Sequence, residues 1–172
     1  MKTLYIIRHG QAEHNVASDR TSKHNIRDPK LTQLGQEQSK AIKLPKTPEI
    51  ILISPLTRAI QTALYAFPDR ESSFELDINI QERAAGSKPC DTGREASELA
   101  KEFENLDKNL FAQLPAEWYH PKMTAEERAE HFKSCIRKRT ETVIAIVAHD
   151  GIFQIMFKKV LKNGEVCEIE FE

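Results

Sequence analysis

Two arginines, two histidines and one carboxylate stand just after runs of apolar residues in this sequence. Arg8 and His9 follow the run TLYII, and Arg58 comes soon after EIILIS. His149 follows TVIAIVA, and Glu82 comes after the weaker run FELDINI. Arginine presents a planar, permanently charged fork to phosphate oxygens, a neutral imidazole can attack phosphorus, and a carboxylic acid can protonate a departing oxygen. These residue types therefore indicate a site for a tetrahedral oxyanion such as a phosphoryl group.

The apolar runs are the elements that must position these side chains. Residues 3–7, 49–54 and 142–148 are short, continuous runs of the kind that forms central parallel strands covered on both faces. Weaker strands are predicted at 74–80 and, with the partial alternation of an edge strand, at 165–171. In open α/β sheets, ligands bind beyond the carboxyl ends of the strands. The chemically active residues therefore converge there if their strands are neighbours.

Helical patterns alternate with the strands. They cover residues 31–42, 54–67, 92–106, 124–139 and 151–164. Ser54 as N-cap predicts one helix start, and Thr124 with Glu127 gives the capping-box spacing of another. Gly164 predicts the end of the last helix. The alternation predicts a single α/β domain over residues 1–172, with three α/β/α layers, a mostly parallel central sheet and an active site at the C-terminal strand ends.

Charge and composition argue against several classes of partner. The chain has 25 Lys and Arg against 26 Asp and Glu, a formal net charge of −1. Neither nucleic acid nor an anionic membrane surface is therefore expected as a partner. No apolar run approaches the roughly 20 residues that span a bilayer. No cluster of His, Cys or carboxylates has metal-ligand spacing, so neither a metal nor another cofactor is expected.

The cysteine pattern indicates a reducing compartment. Cys90, Cys135 and Cys167 are widely spaced and include no C-x-x-C pair. The start of the sequence, MKTLYIIRHG, lacks a hydrophobic signal segment, which favours a cytoplasmic protein. A cysteine-phosphatase loop is not indicated, because only three residues separate Cys90 from Arg94, too few to cradle a phosphate.

Four segments of the sequence resemble motifs of the histidine phosphatase superfamily, also called the phosphoglycerate mutase-like family. RHGQAEHN lies near the start, DPKLTQLGQEQS and SPLTRAIQTA follow, and AHDG lies near the end. They occur in the order of the family and span nearly the whole chain. The sequence is therefore similar to the smaller-domain branch of that superfamily. This resemblance implies a metal-independent phosphatase that works through a phosphohistidine.

The resemblance implies a role for each motif residue. His9 matches the nucleophile that becomes phosphohistidine. Arg8 and Arg58 match the arginines that hold the phosphoryl group. His149 matches the second histidine, which hydrogen-bonds the phosphate, and the backbone near Gly10 is expected to complete the pocket.

The resemblance leaves two candidates for the proton donor. Glu82, in INIQERAAG, matches the acid position of the smaller-domain branch. Asp150 follows His149, as the proton donor does in the acid phosphatase and phytase branch, whereas the smaller-domain branch usually has glycine there. Asp150 has an alternative explanation as the N-cap of the helix that begins at Gly151. A further motif residue, Asn15, matches an asparagine near the phosphate.

A phosphorylated small molecule or a phosphopeptide is the expected substrate. Loop cations that could add charge for an acidic substrate are Arg20, Lys23, Arg27, Arg83, Lys88 and Arg94. Two alternatives to hydrolysis are phosphoryl transfer of the phosphoglycerate mutase type and non-catalytic binding of a phospho-ligand. The Gly-Trp segment of cofactor-dependent mutases has no good match here, and an intact His9 argues against a binding module. Hydrolysis is therefore favoured.

Overall fold

Five strands form one sheet at the centre of the computed structural model, which describes residues 1–17 and 25–172. The strands are β1 (Lys2–Arg8), β2 (Ile50–Ile53), β3 (Phe74–Leu76), β4 (Val143–Ala148) and β5 (Val166–Phe171). Their order is β3-β2-β4-β1-β5, with β1 to β4 parallel and β5 antiparallel at one edge. The predicted α/β fold with a mostly parallel sheet is confirmed, and the terminal strand lies at an edge as its partial alternation indicates.

Helices lie between the strands in the sequence. They are α1 (Glu13–Val16), α2 (Gln33–Lys40), α3 (Thr57–Ala66), α4 (Ala96–Glu102), α5 (Lys108–Ala112), α6 (Ala125–Lys138) and α7 (Asp150–Phe157). The predicted capping box opens α6: Thr124 Oγ1 accepts a hydrogen bond from Glu127 N, and the Glu127 carboxylate accepts one from Thr124 N. Among the helices that the structure describes, none is long and apolar enough to cross a membrane.

Alternate side chains of each central strand enter opposite faces of the sheet. In β1, Tyr5 and Ile7 belong to a core that also contains buried residues of α3, α4 and α5. Leu4 and Ile6 belong to a second core, which contains buried residues of α6 and α7. The sheet is thus covered on both faces, and this explains why the strands read as continuous apolar runs instead of alternating ones.

Two predicted elements begin or end differently in the structure. The run FELDINI is a strand only as far as Leu76, because the Asp77 carboxylate accepts a hydrogen bond from Asn79 N and opens a short 3₁₀ helix, Ile78–Ile80. The prediction of Ser54 as a helix N-cap is wrong, since α3 begins at Thr57. The Ser54 hydroxyl instead faces a histidine of the site described below.

The last predicted helix ends seven residues before its pattern does, at Phe157 instead of Gly164. Lys158 has a left-handed backbone, with φ of 56°, and α7 ends just before it. Gly164 also has a positive φ, 73°, and its N–H donates hydrogen bonds to the carbonyls of Arg8 and His9. Gly164 is therefore not a helix terminus. It fastens the segment between α7 and β5 to the end of β1.

Candidate active site

The ends of neighbouring strands bring four of the predicted site residues together. β1 and β4 pair so that Arg8 lies opposite Ala148, and the next residues, His9 and His149, have ring centroids 5.1 Å apart. Arg58 lies in the first turn of α3, and its Nε donates to His9 Nε2 over 3.2 Å. Arg58 and His149 are fully buried, and His9 is 2% exposed. Burying a guanidinium is costly unless an acceptor or an anion compensates it, so Arg58 must have acceptors at this centre.

The surroundings of His9 fix which ring nitrogen carries the hydrogen. Nδ1 lies 2.7 Å from the carbonyl oxygen of Gly10. A carbonyl oxygen only accepts hydrogen bonds, so Nδ1 is the donor and Nε2 keeps its lone pair. Burial, followed by the positive charge of Arg58, holds the pKa of His9 well below its ordinary value. The ring is therefore neutral at physiological pH, and the lone pair on Nε2 accepts the hydrogen bond from Arg58 Nε.

Gly10 has a structural reason to be glycine. A Cβ there would collide with the carbonyl oxygen of Gly35 in α2. The N–H of Gly10 donates to Thr62 Oγ1 over 3.0 Å. The close approach of α2 and α3 thus fixes the backbone that orients His9. Because the N–H of Gly10 donates to Thr62, it is not a free donor for a ligand in this structure.

His149 has one occupied nitrogen and one free nitrogen. Its Nε2 lies 2.8 Å from the Ser54 hydroxyl, a contact that the sequence did not reveal. Its Nδ1 is buried and has no hydrogen-bond partner among the described residues. Burial, followed by the charges of Arg58 and His9, lowers the pKa of His149. With the Ser54 hydroxyl as donor to Nε2, Nδ1 carries the hydrogen and can donate it to a ligand oxygen.

A turn at residues 89–91 supplies the other partners of Arg58. Its Nη1 donates to the Cys90 carbonyl over 2.7 Å, and its Nη2 pairs with Asp91 Oδ1 at 3.2 Å. Nothing in the sequence marked Asp91 as a site residue, because its loop contains no strand or motif. Burial, followed by the charge of Asp91, raises the pKa of Cys90 to about 11. Cys90 is thus a protonated structural thiol, in keeping with the absence of a cysteine-phosphatase loop.

Arg8 and Asp150 are both attached to Leu161, in the segment after α7. Arg8 Nη1 donates to the Leu161 carbonyl over 2.6 Å, while its Nε is buried without a hydrogen-bond partner in the described chain. Asp150 Oδ1 accepts from Leu161 N over 2.8 Å, and its Oδ2 accepts from Gln154 Nε2. The interpretation of Asp150 as a helix N-cap is wrong, because α7 begins at Asp150 itself and His149 is the N-cap residue.

A cavity of about 250 Å³ opens at this centre and is called the central cavity below. Its lining consists of Arg8, His14, Glu82, Arg83, Ala84, Lys88, Cys90, Asp91, Asp150, Gly151 and Gln154. The His9 ring lies behind this lining, with its centroid 6.0 Å from that of His14. Both candidate proton donors and four cationic or imidazole side chains therefore face the same space.

Glu82 has the environment of a proton donor. Its carboxyl group accepts a hydrogen bond from Arg83 N over 2.6 Å and lies against Gly151, where a Cβ would collide with it. Burial raises the pKa of Glu82 above its ordinary value. Arg128 Nη2 donates to the Glu82 carbonyl over 3.0 Å and so anchors the backbone of this residue. A raised pKa favours the protonated form that an acid catalyst requires.

Asn15 supports the site from the side. Its Oδ1 accepts from Ala12 N over 2.9 Å and from Asn163 Nδ2 over 3.3 Å. Asn163 Nδ2 also donates to the His9 carbonyl over 3.1 Å. Asn15 does not belong to the lining of the central cavity, so the structure gives it a place beside the backbone of the first motif. Asn163 lies far from that motif in sequence, and no pattern pointed to it.

The loop cations named from the sequence divide into separate groups. Arg83 and Lys88 line the central cavity, whereas Arg94 pairs with Asp28 and Glu102. Arg27 donates two hydrogen bonds to the Gly93 carbonyl. Arg20 and Lys23 lie outside the described residues. Over residues 1–17 and 25–172, no three His, Cys, Asp or Glu side chains are grouped so that they could hold a metal ion.

Asp91→Asn is expected to lower the melting temperature of the free protein while increasing the stabilisation by an added anion. The substitution removes the buried counter-charge of Arg58, and breaking one side of a buried ion pair costs about 3 kcal/mol. The freed guanidinium then binds phosphate or vanadate more tightly. Thermal unfolding with and without saturating orthovanadate measures both effects, and a loss of about 3 kcal/mol lowers the melting temperature of a chain of this size by roughly 6–12 °C.

Glu75→Gln is the control, because Glu75 is a carboxylate that pairs with Arg139 and does not belong to the lining of the central cavity. It is expected to lower the melting temperature without changing the shift that the anion causes. Equal anion-induced shifts in wild type and Asp91→Asn would show that Arg58 is not the group that receives the anion.

Sequence comparison gives this arrangement a family context. The family model of the histidine phosphatase superfamily (branch 1) matches residues 4–167. A probable phosphatase of Schizosaccharomyces pombe is 29% identical over 179 residues, covering 94% of this chain and 79% of the relative. A phosphoglycerate mutase-like protein of Arabidopsis thaliana is 28% identical over 193 residues, covering 87% of this chain and 71% of the relative.

Solved structures show the same fold. A putative α-ribazole-5′-phosphate phosphatase of Escherichia coli superposes with a TM-score of 0.66 at 19% identity, over 100% of this chain and 92% of the other. A phosphoserine phosphatase of Entamoeba histolytica, in complex with 3-phosphoglyceric acid, gives a TM-score of 0.59 at 24% identity, over 98% and 90% of the two chains. At these identities the likeness concerns the fold.

Proposed function

Because this chain belongs to branch 1 of the histidine phosphatase superfamily, we propose that it hydrolyses phosphomonoesters through a phosphohistidine on His9. The observation that carries this proposal is the neutral His9 ring, whose Nε2 lone pair is oriented towards the buried Arg58. A nucleophile needs a free lone pair, and a phosphoryl group needs cationic neighbours. His9 Nε2 meets the first requirement, and Arg58 beside it meets the second.

The first step transfers the phosphoryl group to the protein. The phosphate displaces the acceptors that Arg58 holds in the free protein and also takes hydrogen bonds from Arg8 and from His149 Nδ1. His9 Nε2 then attacks phosphorus in line with the ester oxygen, and the P–O bond to the alcohol breaks. Glu82 gives its proton to the departing oxygen and becomes a carboxylate.

The second step returns the protein to its starting state. The Glu82 carboxylate removes a proton from a water molecule whose oxygen attacks the phosphohistidine. The P–N bond breaks, inorganic phosphate leaves, and His9 and the protonated Glu82 are restored. Most of the rate enhancement comes from positioning and charge stabilisation by the arginines, as in other phosphoryl transfers.

Substrate hydrolysis without an added metal is the direct test of this proposal. The purified protein is expected to release phosphate from para-nitrophenyl phosphate and from several phosphorylated metabolites or phosphopeptides. The rate is expected to survive EDTA, since Arg8, Arg58 and His149 supply the charge stabilisation. Orthovanadate is expected to inhibit, because it mimics the five-coordinate geometry of phosphorus in the transition state. Loss of activity in EDTA that Zn²⁺ or Mg²⁺ restores would contradict metal independence.

A phosphoglycerate mutase-type transfer is the second candidate function, favoured by the similarity to the phosphoglycerate mutase-like protein of Arabidopsis thaliana. Such an enzyme keeps the phosphoryl group on His9 until a second hydroxyl accepts it, so water must be excluded at that stage. Mixing the protein with 3-phosphoglycerate and a bisphosphate primer distinguishes the two. Isomerised phosphoglycerate marks a mutase, and free phosphate marks a phosphatase.

A further inference from the structure

A second cavity lies beside the central one and has a markedly cationic lining. It measures about 410 Å³ and is called the distal cavity here. Its lining consists of Arg27, Gly86, Ser87, Lys88, Pro89, Thr92, Tyr119 and His120. Lys88 belongs to the lining of both cavities, so the two spaces adjoin each other. We propose that the distal cavity binds a second anionic group of the substrate, a carboxylate or another phosphoryl group.

The charges of the distal cavity favour an anion. Arg27 and Lys88 contribute permanent positive charge, and His120 adds an imidazole. Ser87 and Thr92 also belong to the lining, with their hydroxyls donating to the carbonyls of Ala84 and Lys88. No lining residue that the structure describes carries a carboxylate. Two permanent cations around one concave space raise the local concentration of anionic ligands.

Arg27 is held in a fixed orientation by neighbouring groups. Its Nε and Nη2 donate to the Gly93 carbonyl over 3.1 and 2.8 Å, and its guanidinium lies 5.5 Å from the centroid of the Tyr119 ring. The Tyr119 hydroxyl donates to the Glu95 carboxylate, so this nearby acid is already engaged. Neither hydrogen bond to Gly93 uses Arg27 Nη1, and this nitrogen has no hydrogen-bond acceptor among the described residues.

The walls of the distal cavity are two loops in close contact. Gly86 has a φ of 76°, and a Cβ there would lie 2.8 Å from the Tyr119 carbonyl and 2.9 Å from His120 Nδ1. Gly86 N donates to the Asp91 carbonyl over 3.0 Å. Asp91 in turn pairs with Arg58 in the central site. The loop that forms one wall of the distal cavity therefore also contacts the phosphate-binding arginine.

This arrangement defines a substrate class. A phosphomonoester whose phosphoryl group reaches His9 would place a second acidic group, carried on a short linker, beside Lys88 and Arg27. A monoester without that second group leaves the distal cavity to water. The inference rests on the proposed function for the position of the scissile phosphate, but anion binding in the distal cavity can be measured separately.

Matched pairs of substrates test the inference. We expect the wild-type kcat/KM to be at least about tenfold higher for 3-phosphoglycerate and phosphoserine than for glycerol 3-phosphate, which lacks a second acid. A factor of ten corresponds to about 1.4 kcal/mol, a reasonable value for one exposed charge-assisted contact. Arg27→Gln and His120→Gln are expected to remove this preference through a higher KM, while the hydrolysis of para-nitrophenyl phosphate stays unchanged.

Arg137→Gln is the matched control, because Arg137 also lies over an aromatic ring, 5.2 Å from the centroid of Phe171, but far from both cavities. It is expected to keep the preference for diacids. Equal kcat/KM values for diacids and monoacids in the wild type would overturn the inference. A loss of para-nitrophenyl phosphate hydrolysis in Arg27→Gln would also overturn it, since Arg27 would then serve the reaction itself.

A binding measurement separates this inference from the proposed function. Calorimetric titration measures the affinities for 3-phosphoglycerate and for inorganic phosphate. It compares the inactive His9→Ala variant with the double variant that also carries Arg27→Gln. Tighter binding of the diacid that depends on Arg27 supports the distal cavity even if no substrate is hydrolysed. Equal affinities that ignore Arg27 overturn the inference even if the protein proves to be an active phosphatase.

Discussion

His9→Ala is expected to abolish the hydrolysis of para-nitrophenyl phosphate, with a loss of several orders of magnitude in kcat. The Nε2 lone pair of His9 is the proposed nucleophile, and this atom lies 3.2 Å from Arg58 Nε. The loss of rate on removing a covalent nucleophile exceeds the roughly 10²–10⁴-fold that one general acid contributes to the rate. Steady-state kinetics measures the loss, and circular dichroism checks the fold.

A trapping experiment makes this result specific to phosphohistidine. Rapid mixing with substrate followed by alkaline quenching is expected to leave one phosphoryl group on wild-type protein and none on His9→Ala. His131→Ala is the control, because His131 lies on α6 outside the central cavity. It is expected to retain both activity and labelling. A folded His9→Ala protein with more than a small residual rate would show that another group attacks phosphorus.

Glu82→Gln is expected to slow the hydrolysis of alkyl phosphates strongly, by about 10²–10⁴-fold, while barely affecting para-nitrophenyl phosphate. An aryl oxide leaves without help, whereas an alkyl oxide needs a proton as the P–O bond breaks. Burial raises the pKa of Glu82, so its carboxyl group retains a proton closer to neutral pH than an exposed glutamate does. Parallel kinetics on glycerol 3-phosphate and para-nitrophenyl phosphate measures the contrast.

Asp150→Asn is the comparison that decides between the two acids. Both Asp150 oxygens accept hydrogen bonds, from Leu161 N and Gln154 Nε2. We expect this variant to slow both substrates equally or not at all, with a slightly lower melting temperature from the weakened attachment of Leu161. If Asp150→Asn instead slows only the alkyl phosphate, the two carboxylates exchange roles and our assignment of Glu82 is wrong.

The sheet and the site residues at the ends of its strands could be predicted from the sequence for one physical reason. Strands that are buried on both faces must be continuously apolar, so the end of each run marks the point where the chain leaves the core. Arg8, His9 and His149 stand at such points, and parallel strands deliver their ends to one edge. The family motifs independently singled out the same residues.

The supporting residues could not be predicted, because they come from loops without a repeating pattern. Asp91, Ser54 and Asn163 each contact a site residue across a long sequence separation. The helix predicted over residues 151–164 extends too far towards its C-terminal end for a related reason. Tertiary hydrogen bonds from Gly164 to the end of β1 outweigh the local helical propensity of the segment.

The segment between α7 and β5 links the position of the site residues to the edge strand of the sheet. Asn163 and Gly164 donate hydrogen bonds to the carbonyl of His9, and Gly164 also donates to the carbonyl of Arg8. The Leu161 carbonyl accepts from the guanidinium of Arg8. β5 pairs with one strand only, and such an edge opens by local fluctuation more easily than the centre of a sheet. Warming the protein would therefore misalign the nucleophile before the hydrophobic cores separate. Loss of activity on heating and global unfolding are then two distinct events, and the temperature of the first depends on how firmly β5 is paired to β1.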